Sequence, residues 1–402
     1  MNVLMVSEFY PPDAKGGGEI SAHFLAKALA ESGIAVHVLT SGKGHVEILD
    51  KVHVHRLLAT NDPTTLKGNF LRQLLFEKSL LAKARVLMKR MNFDVVHCMG
   101  TTSIPLIKLK KEFHARFILH VNSPVMFCPK GTLMYKDEDV CERECTTGTF
   151  LGCVLGSKTL GKMALSPFIK YNPLAIAMIR NRYLNNKKLM RLFDNYTPIS
   201  TYMKELLLKN KIPEKKIEIV YNIMGLERFK PAKEKKNRIK KILYLGEYSM
   251  AKGTQALMET LKSIDAKVEA SFYGDGNLRD WLASEASGAR STITINEKVA
   301  YEKIPEIIQT HDILVVPSLV AEAFGRVVIE GLASGKVVVC CDIGGLGKDI
   351  ESKRLIRYKI GGLKGALECA ISLEVKQDKL DLTAFEKDSI VKKVKRLYGA
   401  RK

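Results

Sequence analysis

What this sequence lacks narrows its function before any motif is read. No apolar run approaches the ~18–20 residues that cross a bilayer, so no spanning helix is predicted. The opening MNVLMVS is too short and too uncharged for a signal peptide and reads as a first buried strand. The pattern GxGxxG is missing, which counts against a dinucleotide-binding dehydrogenase. Nor is there a motif for binding RNA or DNA. Eight cysteines are present without a single CxxC pair, and in a cytosolic chain they are not expected to form a disulfide framework. Acid is scarce: 43 Asp and Glu against 64 Lys and Arg give a formal charge of +21. Such an excess implies a polyanionic partner, whether nucleic acid, anionic lipid or a phosphorylated substrate.

At 402 residues and 46% hydrophobic content, the chain is expected to build two packed domains. Strands are predicted at Asn2–Val6, Ala35–Thr40, Val52–Leu58, Asp94–Met99 and Arg116–Val121, alternating with helical stretches, as in a mostly parallel sheet. Between the first strand and its helix lie Gly16, Gly17 and Gly18, a strand–glycine loop–helix order suited to cradling phosphate. A loop needing positive φ explains the glycines equally well. His120 ends a strand and so is placed at the crevice. Further strands are predicted at Tyr196–Ile199 and Lys216–Tyr221, and a charged linker at Lys233–Lys241. After the next strand comes Lys252-Gly253, a point charge beside a glycine at a helix start.

The most informative stretch is Val315–Gly345, which reads as the end of a buried strand (Ile313–Val316), loop, helix from about Phe324 to Ser334, and second buried strand (Val337–Cys341). Glu322 falls in the loop at a strand's carboxyl end, where open α/β sheets bind ligands. Gly325 opens a helix whose free N–H groups favour an anion. Glu330 lies roughly 7–8 Å further along that helix, at about 1.5 Å per residue. It is surrounded by Val327, Val328, Ile329, Leu332 and Ala333, so its carboxylate needs a partner. The pattern PS-x(3)-E-x-FG-x(4)-E-x-x-A-x-G resembles the donor-site signature of the retaining glycosyltransferases of family 4, which have the GT-B fold.

That resemblance implies two Rossmann-like α/β domains facing across a cleft. The expected division is an acceptor domain over 1–224 with an insertion at about 122–195, a donor domain over 225–385, and a terminal helix over 386–402 crossing back. It assigns Glu322, His120 and Lys252 to catalysis. Donor binding falls to Gly16, Gly17, Gly18, Lys252, Gly274, Val299, Phe324, Gly325, Arg326 and Glu330, with Glu322 on sugar hydroxyls and Glu330 on the ribose. Two departures stand out. Val121 and Asn122 follow His120 where relatives commonly have an aspartate, and Glu247 replaces an arginine that usually shares the diphosphate load. Arg326 is the candidate to compensate.

Cys128, Cys141, Cys145 and Cys153, with spacers of 12, 3 and 7, could close a structural zinc site; redox disulfides and plain packing are the alternatives. No metal is expected to be required for catalysis. From Leu155 to Phe193 there are eight Lys or Arg and no Asp or Glu. Interleaved apolar residues make this segment suited to an anionic membrane surface, with a solvated basic helix as the bland alternative. Leu66–Met91 is a second basic amphipathic stretch. The implied activity is transfer of a hexose-type sugar from a UDP- or GDP-sugar to a lipid-linked or saccharide acceptor. It would be carried out by a cytoplasmic protein, peripheral at the inner membrane face, with no nucleic-acid partner. A soluble transferase making a small glycoside and a non-catalytic nucleotide-sugar-binding relative are the competing readings.

Overall fold

The structure is a computed structural model. It describes every residue except 15, 62–65, 161–162, 165, 232–238, 288–290, 376–377, 379 and 400–402. The linker expected at Lys233–Lys241 falls mostly outside the described residues, as does Lys162.

The first domain contains β1 (Asn2–Val6), α1 (Gly17–Glu31), β2 (Ala35–Ser41), β3 (His45–Leu49), β4 (Val52–Leu58), α2 (Leu66–Arg90), β5 (Val95–Met99) and β6 (Arg116–Val121). The insertion follows, with the hairpin β7 (Met134–Tyr135) and β8 (Asp139–Val140), α3 (Thr147–Gly156), and the hairpin β9 (Thr159–Leu160) and β10 (Met163–Ala164). It ends with α4 (Pro167–Lys170) and α5 (Pro173–Met190), before β11 (Asn195–Pro198) and α6 (Thr201–Lys209). Its sheet runs β11-β6-β5-β1-β2-β4-β3, parallel throughout except for β3. Strands such as β5 are buried along their whole length, as helices on both faces require.

The second domain has β12 (Lys240–Leu245), α7 (Thr254–Ser263), β13 (Val268–Tyr273), α8 (Arg279–Ala286), β14 (Thr292–Asn296), α9 (Ile304–Gln309) and β15 (Ile313–Val316). It continues through α10 (Arg326–Ala333), β16 (Val337–Cys341), β17 (Leu355–Tyr358) and α11 (Leu363–Ser372). The sheet order is β14-β13-β12-β15-β16-β17, all parallel. In each sheet the strand order reverses beside the first strand. These two switch points are where such sheets open a ligand crevice. The glycine loop follows β1, Lys252 follows β12 and Glu322 follows β15, so the candidate residues line both switch points.

Three differences from the sequence reading have local causes. The run Lys216–Tyr221 is not a strand: it follows β11 through Glu218 N–Tyr196 O (3.0 Å) and Val220 N–Pro198 O (2.9 Å), with one isolated bridge. The segment 155–193 is no single helix, because prolines open both α4 and α5 and Asn172 caps α5 by accepting from Leu174 N and Ala175 N. The helix expected from Phe324 starts at Arg326, since Gly325 holds a left-handed conformation (φ +85°) as its cap.

The domains meet through their carboxyl-end loops. Ser200 Oγ donates to Ala323 O at 2.5 Å, and Thr201 N (2.8 Å) and Oγ1 (2.6 Å) both donate to Asp349 Oδ1. Tyr221 joins the same carboxylate at 3.1 Å, and its ring packs on Phe324 and Phe385. The final helix, α12 (Lys387–Gly399), returns to the first domain. There Tyr398 OH meets His97 Nδ1 at 2.7 Å, and Arg116 donates to Leu397 O at 2.7 Å.

Histidines are unusually buried in the first sheet. His37 on β2 stacks on His53 (4.7 Å between centroids) and bonds His55 at 3.0 Å, both on β4. Burial and its two neighbours push the His37 imidazole down to about 4, burial alone takes His120 to about 4, and His97 lies well below its ordinary value. The unfolded chain takes up these protons near pH 6.5 and the folded chain refuses them. The contribution of these histidines is therefore fully present above about pH 6.5 and falls as pH drops towards 4, by up to about 1.4 kcal/mol per pH unit for His37. Urea midpoints measured from pH 7 to 4 should show that fall, and His37→Gln should make it shallower. An unchanged slope in the variant would remove His37 from this account.

Candidate active site

The donor side is assembled by close loop contacts. Gly253, with φ +70°, caps α7 so near the loop after β15 that a Cβ there would lie 1.9 Å from Pro317 O. Leu319 N donates to Ala251 O at 2.9 Å across the same contact. Only glycine permits this approach. Its effect is to bring Lys252, in the turn before Gly253, against Glu322: Nζ donates to Oε1 at 2.8 Å, and Ser318 Oγ donates to the same oxygen. Both charged side chains keep an exposed edge, 27% for Lys252 and 21% for Glu322.

Glu322 is fixed from its other side by Gly344 and Gly345. Gly345 N donates to Glu322 O at 2.7 Å, and at Gly344 (φ +65°) a Cβ would stand 2.5 Å from that carbonyl. The glycine pair therefore packs against the backbone of the acid. Tyr244 lies buried nearby, its phenol held far above its usual range by burial first and then by the Glu322 charge.

Glu330 has the partner its burial demands. It is 2% exposed, and Tyr301 OH donates to Oε1 at 2.7 Å. Arg326 donates to Tyr301 OH at 2.8 Å and stands 3.6 Å from Glu330 Oε1. The Tyr301 ring also carries the guanidinium of Arg228 at 4.7 Å and that of Arg326 at 5.1 Å. Burial raises the Glu330 carboxyl, and Arg326 and Tyr301 partly offset this. Arg326, expected to compensate for Glu247 at the diphosphate, is thus engaged with Tyr301 and Glu330. Val299 is half-buried two residues before Tyr301, Phe324 is buried against Tyr221, and Gly274 follows β13 with its Cα against Gly246 O.

On the first domain the geometry separates two residues read together. His120 is 2% exposed, and its Nδ1 pairs with Thr197 Oγ1 at 3.0 Å. Thr197 Oγ1 also meets His97 Nε2 at 3.2 Å, which continues the chain to Tyr398. The side chain that reaches the glycine loop from this strand end is Asn122. It lies 3.4 Å from a Cβ built on Gly18 and 3.3 Å from one on Gly100.

The four cysteines of the insertion share one neighbourhood. The Cys145 thiol is pushed up to about 11 by burial and then by Cys128, Cys141 and Cys153, and the backbone N–H groups of residues 130–133 surround Cys128. Among the described residues, no group of three or more His, Cys, Asp or Glu could hold a metal. What ties this loop is Lys130, buried, which donates to Asp137 and to Ser157 Oγ at 2.9 Å. Asp137 further accepts from Lys158 N (2.7 Å), Thr159 N (3.0 Å) and Thr159 Oγ1 (2.9 Å).

Tyr301 and Asp137 were not read as site or staple residues, and Ser318, although it is the serine of the PS-x(3)-E pattern, was given no role. Tyr301 had only its position after a strand.

The family model described as Glycosyltransferase Family 4 matches residues 15–228, more than half of the chain, and Glycosyl transferases group 1 matches 239–359. An uncharacterized glycosyltransferase of Methanocaldococcus jannaschii is 23% identical over 90% of this chain and 84% of its own. HepE of Anabaena, solved in complex with UDP, superposes with a TM-score of 0.61 at 14% identity, covering 99% of both chains. Sucrose-phosphate synthase of Thermosynechococcus elongatus gives 0.66 at 16% identity, covering 99% of this chain and 94% of its own. With its two parallel-sheet domains, its motif-bearing switch points and both halves matched, the chain belongs to glycosyltransferase family 4 and has the GT-B fold.

Proposed function

We propose that the chain moves a hexose-type sugar from a UDP- or GDP-sugar, with retained anomeric configuration, to a lipid-linked or saccharide acceptor at the cytoplasmic face of a membrane. The observation that carries the donor half is the Lys252–Glu322 pair at 2.8 Å, mounted on the switch-point loops of the second sheet. Without ligand the two charges neutralise each other. A diphosphate offers Lys252 anionic oxygens in place of the carboxylate, which frees Glu322 for sugar hydroxyls. As the glycosidic bond breaks, negative charge grows on the leaving phosphate, and Lys252 with the amides opening α10 stabilises it. Glu330, preset by Tyr301 and Arg326, takes the ribose. His120, neutral at pH 7 and tied to Thr197, positions the strand end that carries Asn122 to the glycine loop.

The UDP bound by HepE supports a uridine donor, and the likeness to a sucrose-phosphate synthase favours the second reading, a soluble small-glycoside transferase. Against that second reading stands the acid-free segment 155–193, which a small soluble acceptor does not need. Thermal shift decides the donor: a ligand at a hundred times its Kd stabilises the folded state by about 2.7 kcal/mol, so UDP or GDP should raise Tm measurably. If neither nucleotide moves Tm, with or without its sugar, the donor assignment fails. Slow donor hydrolysis without acceptor, absent from a mere binding protein, separates enzyme from non-catalytic relative.

A further inference from the structure

The α3 helix presents an anomaly. Its sequence, TGTFLGCVLG, contains no charged residue. Phe150 and Val154 face inward, forming with Ile176 of α5 a small apolar cluster separate from the two main cores. One position on, at the same four-residue spacing, Leu151 and Leu155 face outward, 38% and 48% exposed. The turn joining α4 to α5 adds Tyr171 and Leu174, each 70% exposed. A groove of about 220 Å³ lies between the helices, lined among others by Phe150, Leu151, Pro173 and Ile176. Scattered exposed leucines need no explanation, but a charge-free helix with bare residues on its outer strip, beside two of the most exposed large side chains in the described chain, does.

Charge selects the occupant. No Asp or Glu occurs from Cys145 to Phe193, while Lys158, Lys170, Arg180, Arg182, Lys187, Lys188 and Arg191 do. Lys170 lies over the Tyr171 ring at 5.9 Å, an ammonium beside an amphipathic aromatic. The apolar side chains belong to a segment whose own charges are all positive, and this complements an anionic phospholipid surface, with the apolar tip entering the headgroup–acyl boundary and the cations on the lipid phosphates. Asp137, which reaches this segment from the preceding loop, is engaged by Lys130, Lys158 N and Thr159. A protein partner would be expected to meet the cations with its own acids, but nothing in that scheme requires the charge-free helix to stay bare.

We infer that the α3–α5 tip, through Leu151, Leu155, Tyr171 and Leu174, is the element that inserts into an anionic bilayer and seats this transferase on its acceptor's surface. The inference rests on the membrane-face reading above and narrows it to four side chains. Insertion adds an apolar contribution that salt does not screen, to an electrostatic one that it does.

The test uses the full chain and vesicles of phosphatidylglycerol with phosphatidylcholine, against phosphatidylcholine alone. The chain should sediment with the anionic vesicles, and high salt should weaken but not abolish this. The quadruple variant L151S/L155S/Y171S/L174S should lose on the order of a hundredfold in partitioning. Its UDP-induced Tm shift should stay unchanged, which shows that both domains are folded. As an independent readout, Leu174→Trp should blue-shift on anionic vesicles. If the parent chain binds no anionic vesicle, the membrane-face reading falls with the inference. If it binds and the quadruple variant binds equally, or Leu174→Trp shows no shift, the tip is not the insertion element, although the membrane reading stands. A parent chain that is dimeric and becomes monomeric in the variant would make the tip a self-interface and overturn the inference.

Discussion

Glu322→Gln is expected to lower kcat by on the order of a hundred- to a thousandfold, the scale on which single transition-state contacts act. Its nucleotide-induced rise in Tm should remain. Glutamine keeps the size of the side chain and one acceptor oxygen, so Ser318 and Lys252 retain a partner and the loop held by Gly344 and Gly345 stays in place. What disappears is the negative charge that is proposed to face the sugar. Loss in kcat without loss of nucleotide binding identifies an interaction made in the transition state. Single-turnover kinetics with saturating donor would give the value, and a variant within a few-fold of the parent would dismiss Glu322 from catalysis.

Lys252→Ala should behave differently. The lysine is proposed to touch the diphosphate both before and during bond cleavage, so both UDP affinity and kcat should fall, with kcat/KM down by on the order of a thousandfold. Removal also leaves Glu322, only 21% exposed, with Ser318 but without its cation. A double-mutant cycle with Glu322→Gln should therefore be strongly non-additive in stability, since the two groups are 2.8 Å apart. Additive stability effects would show that the pair does not matter in solution. Unchanged UDP affinity would place the phosphate elsewhere.

Much of this site was readable because its parts carry local signatures. Buried parallel strands announce themselves as short apolar runs, and Val337–Cys341 and Ile313–Val316 were recovered to the residue. Glu330 was read as needing a partner because its neighbours on the helix are apolar. Which partner could not be read: Tyr301 is 29 positions away and meets Glu330 only after the crossover through α9 and β15 has carried the chain from the sheet's edge to α10. The 2.8 Å approach of Lys252 to Glu322 spans 70 positions, and its cause is a glycine packed on a carbonyl, a feature that looks in sequence like any other loop glycine. The edge strand β3 gave no core signal, since Val46 and Ile48 are 56% and 69% exposed. His120 was placed at the crevice by its strand end and assigned to catalysis by the resemblance alone. A count of residues cannot tell a side chain tied to Thr197 inside the sheet from one, such as Asn122, that has cleared it.

Ser200 holds two jobs with one hydroxyl. It accepts from Met203 N to cap α6 and donates its proton to Ala323 O, the carbonyl next to Glu322. Together with the three donors gathered on Asp349, this puts four hydrogen bonds of 2.5–3.1 Å across the seam between the lobes. Any parting of the lobes has to break the bond to Ala323 O, so the loop that carries Glu322 loses that anchor when the lobes separate.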